Sequence, residues 1–240
     1  MAALRQPDSP AFASGVSTPE SIPSANRKPV VCVFCGSAPG TSPAHLEAAR
    51  ALGHALHAAN FSLVYGGGTV GIMGEVARTL VSLAGPDSVH GIIPAALIKY
   101  EQDASSTKSA KNTINEKIFG RTTVVKDMHT RKQMMAREVM EGGPGGGFVA
   151  LSGGYGTLEE LMEIVTWNQL GIHARGVVVF NVEGYWTGLL SWVKTAVSAG
   201  FIAPNSAGIL VEALTAEEVV TCLRDYQTAE GRYELNWAEK

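Results

Sequence analysis

Short valine- and isoleucine-rich runs, each followed by a stretch with helical spacing, recur from Pro29 onward and leave this chain few folds to adopt. Val30–Phe34 reads as a buried strand. Residues 43–60 read as a helix, with Leu46, Ala49, Leu52 or Gly53, and Leu56 at three- and four-residue steps. Residues 61–65 read as a second strand, followed by a glycine turn and a helix to about Ala84, and 89–93 as a third. Strands over 122–125, 148–151 and 177–182 continue the series, with helices over 127–141, 157–170, 185–199 and 216–226. Strands this apolar, alternating with helices, require a parallel sheet covered on both faces. The expected fold is α/β: a doubly wound, Rossmann-like parallel sheet with helices on both faces, one domain over residues 29–226.

The remaining segments are polar. Residues 1–28 hold four prolines, five serines and no apolar periodicity, and read as a disordered tail without the apolar stretch of a secretory signal. Residues 102–117 (QDASSTKSAKNTINEK) read as a mobile surface loop, and 227–240 as a C-terminal tail. Lys and Arg total 19 against 22 Asp and Glu, a net charge of −3, which argues against a nucleic-acid or anionic-membrane binder. No apolar run approaches the ~18–20 residues of a membrane span. Three cysteines cannot form a fully paired framework, which points to a reducing, cytoplasmic setting.

Placement of the 27 glycines carries the functional argument. Two glycine-rich turns, YGGGTVGIMGE (65–75) and LSGGYGTLEE (151–160), each follow a strand and open a helix. Ligands of doubly wound sheets bind at the carboxyl ends of the strands. Glycine lets backbone approach without a Cβ, and a helix N-terminus offers N–H groups to an anion. A phosphate is the natural guest, with Gly67, Gly68, Gly153 and Gly154 at the turns. Gly66, Gly68 and Gly71 also satisfy G-x-G-x-x-G. The ribose-binding acid expected ~20 residues on is missing, however, since Ser88, Val89, His90 and Gly91 stand there. No GKS or GKT occurs, which excludes a nucleoside-triphosphate P-loop of that form.

Glu159, Glu160 and Glu163 follow the second turn. Glu160 and Glu163, three apart, are expected on one helical face, with Glu159 turned about 100° from Glu160. Arg131 and Lys132 fall in the first turns of a helix, where cations oppose the dipole; an anionic ligand explains that placement. Cys32 and Cys35 form a C-x-x-C, but on a strand they point to opposite faces and read as core. His54 and His57 are three apart on a helix without a third metal ligand nearby, so no metal site is expected.

Several segments together are similar to one family: VCVFCGSAPG (31–40), LVYGGGTVGIMGEVA (63–77), GIIP (91–94), DMHTRK (127–132), LSGGYGTLEELMEIVTWNQLGIH (151–173) and FNVEGYW (180–186). The sequence resembles the Lonely Guy family of cytokinin riboside 5′-monophosphate phosphoribohydrolases over about residues 30–225. The resemblance implies hydrolysis of the N-glycosidic bond of a purine riboside 5′-monophosphate to free base and ribose 5-phosphate, without a cofactor. A lysine decarboxylase label has also been attached to this family, and nothing in the sequence supports a pyridoxal-phosphate enzyme. By resemblance, Arg131 and Glu160 are catalytic. Gly36, Ser37, Gly67, Gly68, Glu101, Lys132, Gly153, Gly154, Tyr155, Gly156, Thr157, Leu158, Glu159 and Thr166 are the substrate- and phosphate-binding positions. The resemblance further implies a homodimer or higher homo-oligomer with the site at the subunit interface. Arg131 is expected to hold the Glu160 carboxylate ionised. Ser152 stands where the family motif has proline, and the glycine-rich stretch 141–146 is an insertion expected on the far edge, away from the catalytic end. The alternative reading is a non-catalytic nucleotide-binding or carrier module on the same fold.

Overall fold

The computed structural model describes residues 27–101, 114–233 and 235. Among them, seven parallel strands form one sheet: β1 (Val30–Phe34), β2 (Ser62–Tyr65), β3 (Val89–Pro94), β4 (Arg121–Val125), β5 (Gly147–Ala150), β6 (Gly176–Phe180) and β7 (Leu210–Ala213). Their spatial order is β4-β3-β2-β1-β5-β6-β7. Helices α1 (Ala44–Ala58), α2 (Gly71–Ala84) and α7 (Ala216–Arg224) cover one face; α4 (Met128–Glu141), α5 (Tyr155–Gln169) and α6 (Thr187–Ser198) cover the other. A short α3 (Glu116–Phe119) precedes β4.

The strand pattern explains the two layers. In β1, Val31 and Val33 pack into the α1/α2/α7 core, and Cys32 and Phe34 into the α4/α5/α6 core. In β6, Val178 and Phe180 take the first side and Val177 and Val179 the second. Burying a valine on either face contributes roughly 1.5–3 kcal/mol, so polar residues are excluded from both faces of the central strands. Strand order reverses between β1 and β5, whose neighbours were built in opposite directions. Loops leaving these two strands therefore part and open a crevice at their carboxyl ends.

The doubly wound reading matches this sheet, with one omission. β7 was not expected from sequence: it has only four residues and carries Glu212, which accepts a hydrogen bond from Asn181 Nδ2 at 2.5 Å. The expected tail and polar loop fall mostly outside the described residues. Where the described residues reach those segments, they pack. Ile114 is buried and Glu116 opens α3, so the polar stretch stops short of 117. Residues beyond Tyr226 turn back onto α5: Tyr233 N–H donates to Gln169 O at 2.8 Å and Arg232 Nε to Asn168 O at 3.0 Å. The glycine-rich insertion lies at the amino end of the sheet, opposite the crevice, beneath central β5 and not at an edge. There Arg175 donates to the carbonyls of Met140, Gly142 and Gly143 at 2.8–2.9 Å.

Candidate active site

Three chain segments meet at the reversal point. Gly36, just past β1, donates its N–H to Ser152 O at 2.9 Å and accepts from Met73 N–H at 3.2 Å, tying the first loop to both glycine turns. Glu101 accepts from Thr69 N–H at 2.8 Å, bringing the end of the β3 loop onto the first turn beside Gly68. Gly71 has φ +58, and a Cβ there would run into Ser37 O, so the fold itself demands glycine at that position. Gly154 and Gly156 differ. Gly154 has a negative φ, Gly156 is helical, and a Cβ on either would meet nothing within 4 Å. Packing leaves the space over these two glycines open. Gly154 is the N-cap of α5 and supplies no side-chain cap, so the first N–H groups of this 15-residue helix face outward with the positive end of its dipole.

Charged side chains come from α4 and α5. Asp127 caps α4 through its carboxylate, which accepts from Thr130 N–H at 2.7 Å, and this start places Arg131 and Lys132 one turn in. The Arg131 guanidinium occupies the space a Cβ at Gly66 would take and is only 5% exposed. Its Nε has no hydrogen-bond partner, and Glu101 Oε2 is likewise buried without one. Arg131 Nη1 donates to Met128 Sδ at 3.7 Å. A buried guanidinium without paired oxygens is costly, so the crevice holds one unspent donor, Arg131 Nε, beside one unspent acceptor, Glu101 Oε2. Lys132 is engaged: its Nζ lies 2.5 Å from Glu159 and 3.2 Å from Glu163. Burial alone would lower its pKa, but these two carboxylates raise it.

Glu163 lies on the same side of α5 as both Glu159 and Glu160, but its carboxylate joins that of Glu159 at Lys132. Glu160 turns inward alone, and among the described residues no hydrogen bond or ion pair reaches its carboxyl. Burial pushes Glu160 from 4.5 up to about 7, against the opposing pull of Arg131. The expected pull of Arg131 toward the ionised form is present, but desolvation of the Glu160 carboxyl acts against it and is the larger effect. Burial also raises Glu101, again against Arg131. Two carboxyls perturbed by desolvation around one buried cation, in a crevice, have the character of a reactive centre.

Most of the expected residues converge here: Gly36, Ser37, Gly67, Gly68, Glu101, Arg131, Gly153 to Glu160, and Lys132 through its carboxylates. Thr157 is buried, its Oγ1 against Gly153, and Tyr155 and Leu158 are exposed at the rim. Thr166 is not brought in. It lies six residues along α5 from Glu160, about 9 Å at helical rise, with its hydroxyl donating to Met162 O at 2.8 Å. Sequence reasoning missed Gly66 as the seat of Arg131, and His45 and Tyr185 as supports of the second turn. No periodicity marks those contacts. Cys32 and Cys35 lie buried on opposite sides of the sheet as expected, with burial raising both thiols.

A family model described as "Possible lysine decarboxylase" matches residues 73–223. The cytokinin riboside 5′-monophosphate phosphoribohydrolase LOG7 of Arabidopsis thaliana is 43% identical over 197 residues, covering 82% of each chain. The chain belongs to the Lonely Guy family. LOG1 of the same plant, a protein of the same name, is 42% identical and covers 82% of this chain and 83% of its own. The "Bifunctional cytokinin biosynthesis protein" of Fusarium pseudograminearum is 53% identical over 208 residues; the match takes in 87% of this chain but only 42% of that protein's length. Among solved structures, the molybdenum cofactor carrier protein of Chlamydomonas reinhardtii superposes with a TM-score of 0.56 at 17% identity, covering 82% of this chain and 97% of its own. That likeness establishes a shared fold.

Proposed function

We propose that this Lonely Guy protein hydrolyses the N-glycosidic bond of cytokinin riboside 5′-monophosphates, releasing the free base and ribose 5-phosphate. The supporting observation is the Glu160–Arg131–Glu101 cluster beside an open, uncapped glycine turn. The relatives' shared name supplies the substrate class. The 5′-phosphate sits over Gly154 and Gly156, on the first N–H groups of α5, where no side chain competes for the space. The ribose then faces Glu160.

Cleavage develops positive, oxocarbenium-like charge on the sugar. A carboxylate ~4 Å from that charge, at an effective dielectric of ~20, contributes about 4 kcal/mol, or roughly 10³ in rate. Enzymatic accelerations start near ~10⁶, so phosphate binding and orientation of sugar and water supply the rest. Glu160 stabilises the cationic sugar and takes the proton from water or the ribose. Its elevated pKa suits it to accept that proton near neutral pH. Arg131 orients the ligand and favours the ionised form of Glu160, and Lys132 fixes Glu159 and Glu163 along the rim. Exposed Met128, Tyr155 and Leu158 around the crevice fit a homodimer with the site at its interface. No described helix is long and apolar enough to cross a membrane; three unpaired cysteines fit the cytoplasm. The test is Glu160→Gln: turnover of the monophosphate is abolished while nucleotide affinity is largely kept. Full activity in that variant overturns the assignment, and binding without any turnover in the wild type returns the carrier reading.

A further inference from the structure

Two aromatic side chains from elsewhere in the fold hold the second glycine turn at consecutive residues, and neither lies in that turn. Ser152 Oγ is hydrogen-bonded to His45 Nδ1 at 3.0 Å, from the first turn of α1. Tyr185, ahead of α6, donates its hydroxyl hydrogen bond to Gly153 O. The His45 and Tyr185 rings meet edge to face, centroids 5.9 Å apart at 79°, so the two supports brace each other. On its other side the His45 ring abuts Gly40, where φ is +77 and an added Cβ would lie 2.8 Å from Cδ2. The histidine is thus wedged between the loop after β1 and the turn after β5. Ser152 is 4% exposed. A hydroxyl so enclosed is not a nucleophile for a ligand, and the serine–histidine pair acts by holding.

Serine is the departure from the family motif at this place. Proline there fixes its own φ and narrows the unfolded and misaligned conformations of the turn. Serine lacks that restraint and has to be held from outside. Proline would break no backbone hydrogen bond here, because Ser152 N–H donates none among the described residues. We propose that His45 is a positioning residue for the phosphate turn, its hydrogen bond to Ser152 replacing the restraint that proline gives the motif. The inference rests on the reading that this turn receives the 5′-phosphate. His45 touches no reacting group and acts through the placement of Gly153, Gly154 and the α5 N–H groups.

The test measures AMP affinity by calorimetry, with KM and kcat for the cytokinin monophosphate, in wild type, His45→Phe, Ser152→Ala, Ser152→Pro and the double variant His45→Phe/Ser152→Pro. Phenylalanine keeps the ring against Tyr185, and Ser152→Ala removes the same bond from the other side if His45→Phe folds poorly. Each loss of the bond weakens AMP binding about fivefold, the factor one net hydrogen bond supports. The change appears in KM with kcat nearly constant, because Glu160 is undisturbed. Ser152→Pro binds like wild type, and His45→Phe is silent in the Ser152→Pro background. Wild-type binding that is unchanged in both His45→Phe and Ser152→Ala overturns the inference, as does a His45→Phe loss that persists beside proline. A wild type that binds no AMP refutes the underlying site reading instead, and the inference with it.

Discussion

Replacing Glu160 with glutamine removes a carboxyl that the fold holds at a cost, so the variant gains stability where the wild type is charged. Burial raises the Glu160 carboxyl from 4.5 to about 7. At ~1.4 kcal/mol per pH unit, the ionised form is about 3 kcal/mol costlier in the fold than in the unfolded chain. A carboxyl raised in this way binds more protons folded than unfolded. Its favourable contribution is complete below about 4.5, shrinks as pH rises, and is gone above about 7. Glutamine mimics the protonated form at every pH. Glu160→Gln and wild type therefore differ least near pH 4.5 and most above pH 7. For a chain of this size the full difference is worth about 6–12 °C in melting temperature. The assay is thermal unfolding of both proteins, without nucleotide, across that pH range. A difference in melting temperature that does not grow between those limits, or a variant less stable than wild type at the alkaline end, refutes the claim that desolvation governs this group.

Other consequences concern the same crevice. If the ionised Glu160 is the working form, kcat/KM rises with pH through about 7; a profile falling through that range assigns it the opposite proton role. Gly156→Ala, in open helical space, folds at least as well as wild type, since alanine is favoured over glycine in helices by about 0.5–1 kcal/mol; with Gly154→Ala, it nonetheless weakens AMP binding tenfold or more. Normal AMP binding by both denies the phosphate its place. Gly71→Ala, strained by φ +58 and by Ser37 O, shows the converse pattern, a clear loss in melting temperature. Gly66→Ala displaces the Arg131 guanidinium and lowers kcat at least about 100-fold, the usual scale for removing one charge-stabilising group; wild-type kcat in that variant separates Arg131 from the reaction.

Much of the fold was legible because burial on both faces leaves a strong mark. Runs such as Val30–Phe34 and Gly176–Phe180 cannot carry polar residues, and the helices between them repeat apolar residues at three- and four-residue steps. β7 escaped because a four-residue edge strand carrying Glu212 has no such mark. At the site, glycine placement announced both turns, and the unfavourable start of α4 announced Arg131. Sequence could not distinguish glycines the backbone requires, such as Gly71, from Gly154 and Gly156, around which an added Cβ would meet open space. That distinction is a matter of neighbouring atoms. Spacing within α5 places Glu159 beside Glu163, but that Lys132 joins them and leaves Glu160 alone depends on how α4 and α5 are rotated against each other, which no single helix encodes. The opposing effects on Glu160 differ in the same way: the charge of Arg131 is visible in a sequence, and the desolvation that acts against it is not.

Product chromatography tests the central claim most directly. N6-isopentenyl-AMP, AMP and isopentenyladenosine are supplied separately to the wild-type protein, and purine and sugar products are quantified together. Equimolar free base and ribose 5-phosphate from the monophosphates, with none from the nucleoside, is the predicted result. Equal turnover of the nucleoside contradicts the phosphate site over Gly154 and Gly156. Intact monophosphate despite measurable binding contradicts hydrolysis itself.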